Sequence, residues 1–114
     1  MLHNFPVRSN GWSPQAGLVS DSLGNLYGTT AFGGGSSACP AGCGTVFKLD
    51  TTQKKTLFHR FTGGADGANP YAELLLNEAT HTLYGTAYLG GNQACSTQLG
   101  GGPGCGTVFK ITYP

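Results

Sequence analysis

Four cysteines are the side chains with the most direct chemical potential in this chain of 114 residues. Three residues separate Cys39 from Cys43, nine separate Cys95 from Cys105, and each pair precedes a copy of GTVFK. An even number of cysteines in a small glycine-rich chain is typical of a disulfide framework, so we predict two local bridges, Cys39–Cys43 and Cys95–Cys105. A zinc site of four thiolates is an alternative, although paired zinc ligands usually have about two to four residues between them. Free reactive thiols are a third interpretation.

The carboxylates could support glycosidase chemistry only as a pair facing each other across a cleft. Asp66 with Glu73 is the one local pair we consider, and their counterparts in an internal repeat are Asn10 and Gly17. Catalysis would then reside in one repeat, so a glycan-acting hydrolase or lyase is the alternative function rather than the first. The other carboxylates are Asp21, Asp50 and Glu78.

The histidines and glycine clusters point to structure rather than catalysis. His3 and His59 occupy matching positions in the repeat, which is more typical of a structural role. GADGAN (64–69) reads as an Asx/Gly turn. A weak calcium site is its alternative, although Ca²⁺ takes about six to eight oxygen ligands. The glycine clusters lack the strand-to-helix setting of a phosphate loop. We therefore predict no metal and no cofactor.

Composition limits the partners. Charged residues make up 10% of the chain and the net charge is +1, which disfavours nucleic acid binding. No apolar run approaches the roughly 18 residues of a membrane helix, so no membrane insertion is predicted. The start, MLHNFPVRSN, lacks the basic and apolar regions of a signal peptide. Three expectations follow: a cytosolic chain, a removed export signal, or a piece of something larger.

An internal repeat organises the whole sequence. GCGTVFK occurs at 42–48 and again at 104–110, and LYGTTAFGG (26–34) matches LYGTAYLGG (83–91). The offset grows from 56 at the start to 62 at the end, and the differences fall in loops. We predict a single domain, 1–114, with one repeat at about 2–57 and a second at about 58–114.

Short runs of β-branched and aromatic residues bounded by turn residues predict an all-β fold without helices. The predicted strands of the first repeat are Ala16–Ser20, Asn25–Thr30, Gly44–Asp50 and Lys55–Thr62. Those of the second are Ala72–Leu76, Thr82–Tyr88 and Gly106–Thr112. Four antiparallel strands per repeat are typical of a β-propeller blade, so we expect two four-stranded blades.

The missing strand of the second repeat has a match at the start of the chain. Leu2–Phe5 corresponds to Phe58–Phe61, and we predict that it completes a blade as its outer strand. Two blades cannot close a ring of about four to eight. The ring is therefore expected to form by homo-oligomerisation, with three or four chains favoured, or by further repeats of a longer chain.

At GNLYGTTAFGG, GCGTVFKLD and FTGGADGANPYAELL the sequence closely resembles the bacterial GloVer tandem-repeat family. The resemblance covers essentially the whole chain as two units. HTLYGTA replaces GNLYGTT in the second unit, and RSNGWSP replaces GADGANP in the first. The resemblance implies a secreted or cell-surface bacterial protein, often with more repeats, and it does not point to a particular catalytic activity.

Blade topology places two sets of loops on one face: the disulfide loops (31–44 and 89–106) and the NGWSP and DGANPY loops. That face carries Asn10, Trp12, Phe32, Asn69, Tyr71, Tyr88, Asn92 and Gln93. Aromatic rings beside amides suit flat polar ligands such as glycans. The predicted ligand site is Asn10, Trp12, Asp66, Asn69, Tyr71, Tyr88 and Asn92. The alternative is that the aromatic rings fill the gaps between blades. The predicted function is a non-catalytic secreted or surface module with a structural, adhesive or ligand-binding role.

Overall fold

A computed structural model of the protein describes residues 2–5, 11–39, 41–91 and 104–113. It contains seven strands and one short 3₁₀ turn. The strands are β1 (Val19–Ser20), β2 (Leu26–Thr30), β3 (Thr45–Leu49), β4 (Lys55–Arg60), β5 (Leu75–Asn77), β6 (Thr82–Ala87) and β7 (Thr107–Thr112). Each overlaps a strand expected from the sequence, so the all-β prediction is confirmed.

Two antiparallel sheets are formed by strands that are consecutive in the chain. The first sheet has the order β1-β2-β3-β4 and the second the order β5-β6-β7. Tyr27 pairs with Lys48 in the first sheet, and the repeat-equivalent Tyr84 pairs with Lys110 in the second. Among the described residues the first sheet has four strands and the second has three, so the fourth strand of a second blade stays a prediction.

Asx turns close the hairpins of the first sheet. One carboxylate oxygen of Asp21 accepts hydrogen bonds from the backbone N–H of Leu23 and Asn25 at 2.9 and 3.0 Å. Asp50 accepts in the same way from Thr52 and Lys54, both at 2.9 Å. Each carboxylate satisfies donors that the turn leaves unpaired, which is why aspartate favours this position.

The equivalent turn of the second sheet differs and contains the one helical element. Glu78–Thr80 forms a 3₁₀ turn, and His81 ends it with a left-handed backbone at φ +51°. The sequence prediction of no helix is wrong at this turn. The second repeat has NEATHT where the first has DSLGN. The turn is one residue longer and has no glycine, so the chain adds a tight helical turn before it reverses.

Residues 2–5 lie against the first sheet and belong to no strand. The Phe5 ring meets the edge of Phe47 with a centroid distance of 5.3 Å, and the Lys55 ammonium lies 4.6 Å from the Phe5 centroid. Within a single chain these residues pair with no strand, so the completion of a blade by Leu2–Phe5 as its outer strand stays a prediction. The second sheet, which lacks a fourth strand, is not the sheet that these residues contact through their rings.

One hydrophobic cluster fills the space between the two sheets. Phe61 is 1% exposed and its ring lies 5.1 Å from that of Phe109. Tyr113 lies 5.1 Å from Tyr27 and stacks on Phe58 at 5.6 Å. The cluster further contains Val46, Leu74 and Leu83, with Val19, Leu76 and Ile111 packed against it. The repeats are therefore packed face to face, with side chains of alternate strand positions directed into the junction.

Candidate functional site

Four aromatic rings form a continuous row that crosses from the first repeat to the second. Trp12 and Phe32 lie 5.1 Å apart between centroids, Phe32 and Tyr71 6.5 Å, and Tyr71 and Tyr88 5.7 Å. We call Trp12, Phe32, Tyr71 and Tyr88 the aromatic ladder. Tyr71 is 42% and Tyr88 47% exposed, while Trp12 and Phe32 are half-buried. The ladder thus presents ring surface to solvent while its first two rings anchor it.

Backbone bridges outside the sheets hold the ladder in place. Trp12 and Phe32 pair with each other through two backbone hydrogen bonds, at 3.0 and 3.2 Å. Ala68 and Leu89 form the equivalent bridge in the second repeat, at 2.9 and 3.0 Å. The loop that enters each sheet is therefore tied to the β2–β3 loop in the first repeat and to the β6–β7 loop in the second. That arrangement brings Trp12, Tyr71 and Tyr88 to one face, as the loop topology predicted.

Asn69 lies at the junction of the two repeats and is 2% exposed. Its side-chain amide donates to the backbone oxygen of Ala31 at 2.9 Å, and its backbone N–H donates to that of Cys43 at 2.6 Å. Its backbone is left-handed, at φ +55°, a conformation that asparagine tolerates better than most residues. The structure thus gives this predicted ligand residue a joining role between the repeats, close to Tyr88, whose N–H donates to Asn69 at 3.1 Å.

A disulfide fixes the loop of the first repeat. Cys39 and Cys43 form the predicted disulfide, and both are buried, with 5.3 Å between their Cα atoms. Because the backbone oxygen of Cys43 accepts from Asn69, the bridge also fixes an acceptor of the junction. Cys105 is disulfide-bonded as well. Cys95 lies outside the described residues, so the Cys95–Cys105 pairing stays a prediction.

Both disulfide loops begin and end at closely approaching glycines, which we call the glycine necks. Gly44 donates to the oxygen of Gly33 at 3.0 Å, and Gly106 donates to that of Gly90 at 3.0 Å. A Cβ atom on Gly42 would overlap the Gly33 carbonyl. One on Gly104 would overlap the Gly90 carbonyl. Both positions also have positive φ, so a side chain there would meet both a clash and backbone strain.

Asp66 belongs to a turn and not to the ladder. Its carboxylate accepts from the Thr62 N–H at 3.0 Å and from the Thr62 hydroxyl, and lies 2.8 Å from the His59 Nε2 atom. Partial burial raises the pKa of Asp66, but the hydrogen bonds from Thr62 and His59 outweigh it and leave the pKa below the ordinary value. These partners give the carboxylate a structural use. Asn10 and Asn92, which complete the predicted ligand set, lie outside the described residues.

Asp66 and Glu73 face different spaces. Asp66 lines a cavity of about 260 Å³ with His59, Phe61 and residues 107–111. Glu73 lines another of about 660 Å³ between β1 and β5, together with Glu78. Within 2–5, 11–39, 41–91 and 104–113 there is no group of three His, Cys, Asp or Glu side chains that could hold a metal. That same part of the chain contains no helix long and apolar enough to span a membrane.

Phe32 is the ladder residue that the predicted ligand set omitted. The loop topology predicts its face, but its role as the ring between Trp12 and Tyr71 depends on distances that residue spacing does not give. Comparison of the chain with family models, with curated proteins and with solved structures found no match.

Proposed function

We propose that the chain is a non-catalytic β-propeller repeat module that binds flat polar ligands, glycans foremost, at the aromatic ladder. The observation that carries the proposal is the unbroken row of ring contacts from Trp12 to Tyr88, which crosses the repeat junction. Its last two rings expose more than two-fifths of their surface. Rings held at fixed distances lose little conformational entropy when a ligand stacks on them.

The blade assignment is supported by how the repeats pack. Consecutive antiparallel sheets lie face to face over a shared cluster, and their loops gather on one side. Propeller blades pack in this manner around a ring, and their loop faces are common ligand sites. The resemblance to the GloVer tandem-repeat family supports the same assignment.

Ligand chemistry follows from the surroundings of the ladder. Aromatic faces stack on the C–H faces of sugar rings, while phenol hydroxyls and amides bond to sugar hydroxyls. Tyr71 and Tyr88 supply both kinds of contact. With a net charge of +1, the chain has no strong field to attract a polyanion, which favours a neutral glycan.

A secreted or cell-surface location is the matching proposal for where the protein acts. The Cys39–Cys43 disulfide supports it, because such bridges persist in oxidising compartments. Glycans of cell surfaces and of the extracellular matrix would be accessible to a module exported in this way.

Titration of a panel of neutral oligosaccharides by NMR or calorimetry tests the proposal. We expect at least one glycan to bind, and Tyr71→Ala and Tyr88→Ala each to weaken it about tenfold, which corresponds to roughly 1.4 kcal/mol. Tyr84→Ala is the matched control, since Tyr84 is 37% exposed and has no ring contact with the ladder.

Three outcomes would contradict the proposal. One is equal weakening by the Tyr84 control, another is a panel without any binding, and the third is conversion of an oligosaccharide to shorter products by the unaltered chain. In the last case, loss of turnover in Asp66→Asn or Glu73→Gln would assign the activity to the carboxylates.

A further inference from the structure

The second sheet leaves one apolar face in solvent. Leu75 is 69%, Tyr84 37% and Val108 81% exposed. Leu75 pairs directly with Tyr84, and Val108 is the diagonal neighbour of Tyr84 across β6 and β7. Three cross-strand neighbours on one face therefore form a contiguous apolar patch, which we call the open face.

The equivalent face of the first sheet is buried in the central hydrophobic cluster. Val19 pairs with Tyr27, and Val46 is the diagonal neighbour of Tyr27, in the same register. Tyr27 is 1% and Val46 0% exposed because the second sheet covers them. The same residue pattern is thus buried in one repeat and open in the other.

The first sheet has the complementary surface on its opposite side. A groove of about 300 Å³ there is lined by residues that include Leu18, Leu26 and Phe47. Their repeat equivalents are Leu74, Leu83 and Phe109, all part of or packed against the central cluster. This groove therefore presents the type of surface that, in the second sheet, packs against Tyr27 and Val46.

We propose that the open face of the second sheet binds the groove side of the first sheet of a second copy of this chain, with residues 2–5 of that copy adding as the fourth strand beside β7. The internal junction joins one sheet face to the groove-type side of the next sheet. Each chain has one further copy of both surfaces, the open face and the groove, so a second copy of this chain is the partner that fits. Such a contact is head-to-tail, so it repeats until the rotation closes a ring. It rests on the repeat equivalence and is independent of glycan binding.

Residues 2–5 already lie where a preceding sheet would place its last strand. Phe5 meets Phe47 at 5.3 Å and 63°, as Phe61 meets Phe109 at 5.1 Å and 66°. His3 lies 4.8 Å from Phe5 at 81°, and His59 lies 4.7 Å from Phe61 at 84°. The segment thus reproduces the packing of the end of β4, but without the neighbouring strand that β4 has.

β7 offers the edge for that strand. In the first sheet β3 pairs with β2 on one side and β4 on the other, whereas among the described residues β7 pairs only with β6. The pairs Thr45–Arg60 and Val46–His59 of the first sheet fix the register. When each residue is replaced by its repeat equivalent, the corresponding pairs are Asn4 with Thr107 and His3 with Val108. An open edge beside an apolar patch is a ready template for such pairing.

Light scattering over a range of concentrations tests the association. We expect an integer multiple of the single-chain mass, and we expect Val108→Asp to reduce it to the single-chain mass with an unchanged circular dichroism spectrum. Leu23→Asp is the control, because Leu23 is 77% exposed in the β1–β2 hairpin and is not one of the three residues of the open face. A single-chain mass for the unaltered protein at every concentration, or an assembly unaffected by Val108→Asp, would overturn the proposal.

Crosslinking tests the register. Directly opposed strand residues have Cβ atoms about 4.5–5.5 Å apart, close enough for a disulfide after a small adjustment. His3→Cys and Val108→Cys, made in separate preparations and mixed under mild oxidation, should give a bond between positions 3 and 108 of different chains, detected by peptide mapping. Leu23→Cys mixed with Val108→Cys should give none. An absent 3–108 bond, or one formed no more readily than the control, would overturn the proposed pairing.

Discussion

The two sheets carry nearly the same residue pattern and differ most in what covers them. Val46 is fully buried, and its equivalent Val108 is 81% exposed. Tyr27 is 1% exposed, and Tyr84 37%. The three strands that the sheets share pair in matching registers, so the difference does not come from the register of the strands. The difference in exposure comes from the neighbouring sheet. The second sheet covers the Tyr27 and Val46 face of the first, whereas no sheet among the described residues covers the Tyr84 and Val108 face of the second.

A smaller difference lies inside the sheets. Thr30 and Thr45 share a buried hydrogen bond of 2.7 Å in the first repeat. The second repeat has Ala87 in place of Thr30, and the hydroxyl of Thr107 is left buried without a partner in the described structure. At this position the hydroxyl of the first repeat has a partner and its equivalent in the second repeat does not. Paired substitutions at equivalent positions can measure each of these differences.

The largest difference is expected between Phe61→Ala and Phe5→Ala. Phe61 is 1% exposed in the junction, and its loss should lower the free energy of unfolding by about 3–5 kcal/mol. Phe5 makes the equivalent ring contact but is half-buried, so we expect a loss of about 1–2 kcal/mol. Urea unfolding of dilute protein measures both. Equal losses would show that the two aromatic contacts are equally covered and would refute the comparison.

Val46→Ala and Val108→Ala test the cover of the two sheets directly. Val46→Ala should lower the free energy of unfolding by about 1.5–3 kcal/mol, because it removes two buried methyl groups and leaves a cavity. Val108 should change by less than about 0.5 kcal/mol in dilute protein, since it is already in solvent. Thermal and denaturant unfolding at low concentration give both values. A large loss at Val108 under those conditions would contradict the exposure of the open face.

Ala87→Thr should bring the second repeat closer to the first. The new hydroxyl can bond to Thr107 as Thr30 bonds to Thr45, and we expect a gain of about 1 kcal/mol in the free energy of unfolding. Ala87→Val is the control, with the same shape and no hydroxyl. A gain as large in the valine variant would assign the effect to packing rather than to the hydrogen bond.

The smallest effect is a pH dependence confined to one hairpin. Partial burial raises the pKa of Asp21, but hydrogen bonds from Asn25, Tyr27 and Leu23 outweigh it and bring the pKa from 3.8 down to about 2. Between these values the unfolded chain binds more protons than the folded chain, so the stabilisation is present above pH 3.8 and is lost as the pH falls towards 2.

Asp21→Asn, which introduces the residue found at the equivalent Asn77, should remove this part of the pH dependence. Because Asp21 is only half-buried, we expect a cost of about 1 kcal/mol or less near neutral pH. Acid titration of unfolding followed by circular dichroism measures it. An identical profile for the variant between pH 3.8 and 2 would show that Asp21 does not contribute there.

Local features of the sequence predicted the strands, the Cys39–Cys43 bridge and the clustering of the ladder residues, because strand propensity, short loops and repeat register are set by nearby residues. The roles of Asn69 and Asp66 could not be predicted in this way. Asn69 is defined by backbone oxygens of Ala31 and Cys43, far away in sequence, and Asp66 by His59 and Thr62. The position of residues 2–5 depends on packing against Phe47, which a match to another strand does not determine.

The glycine necks allow the loops that they close to differ in length. Eight residues separate Gly33 from Gly42, and thirteen separate Gly90 from Gly104, yet both necks keep a hydrogen bond of 3.0 Å. Because the two stems are already held together, lengthening a loop adds little closure entropy, about 0.6 kcal/mol for each doubling. A foreign peptide inserted between the glycines of a neck would therefore leave the strands below undisturbed. The fold can thus serve as a display scaffold, with the foreign segment inserted at a neck.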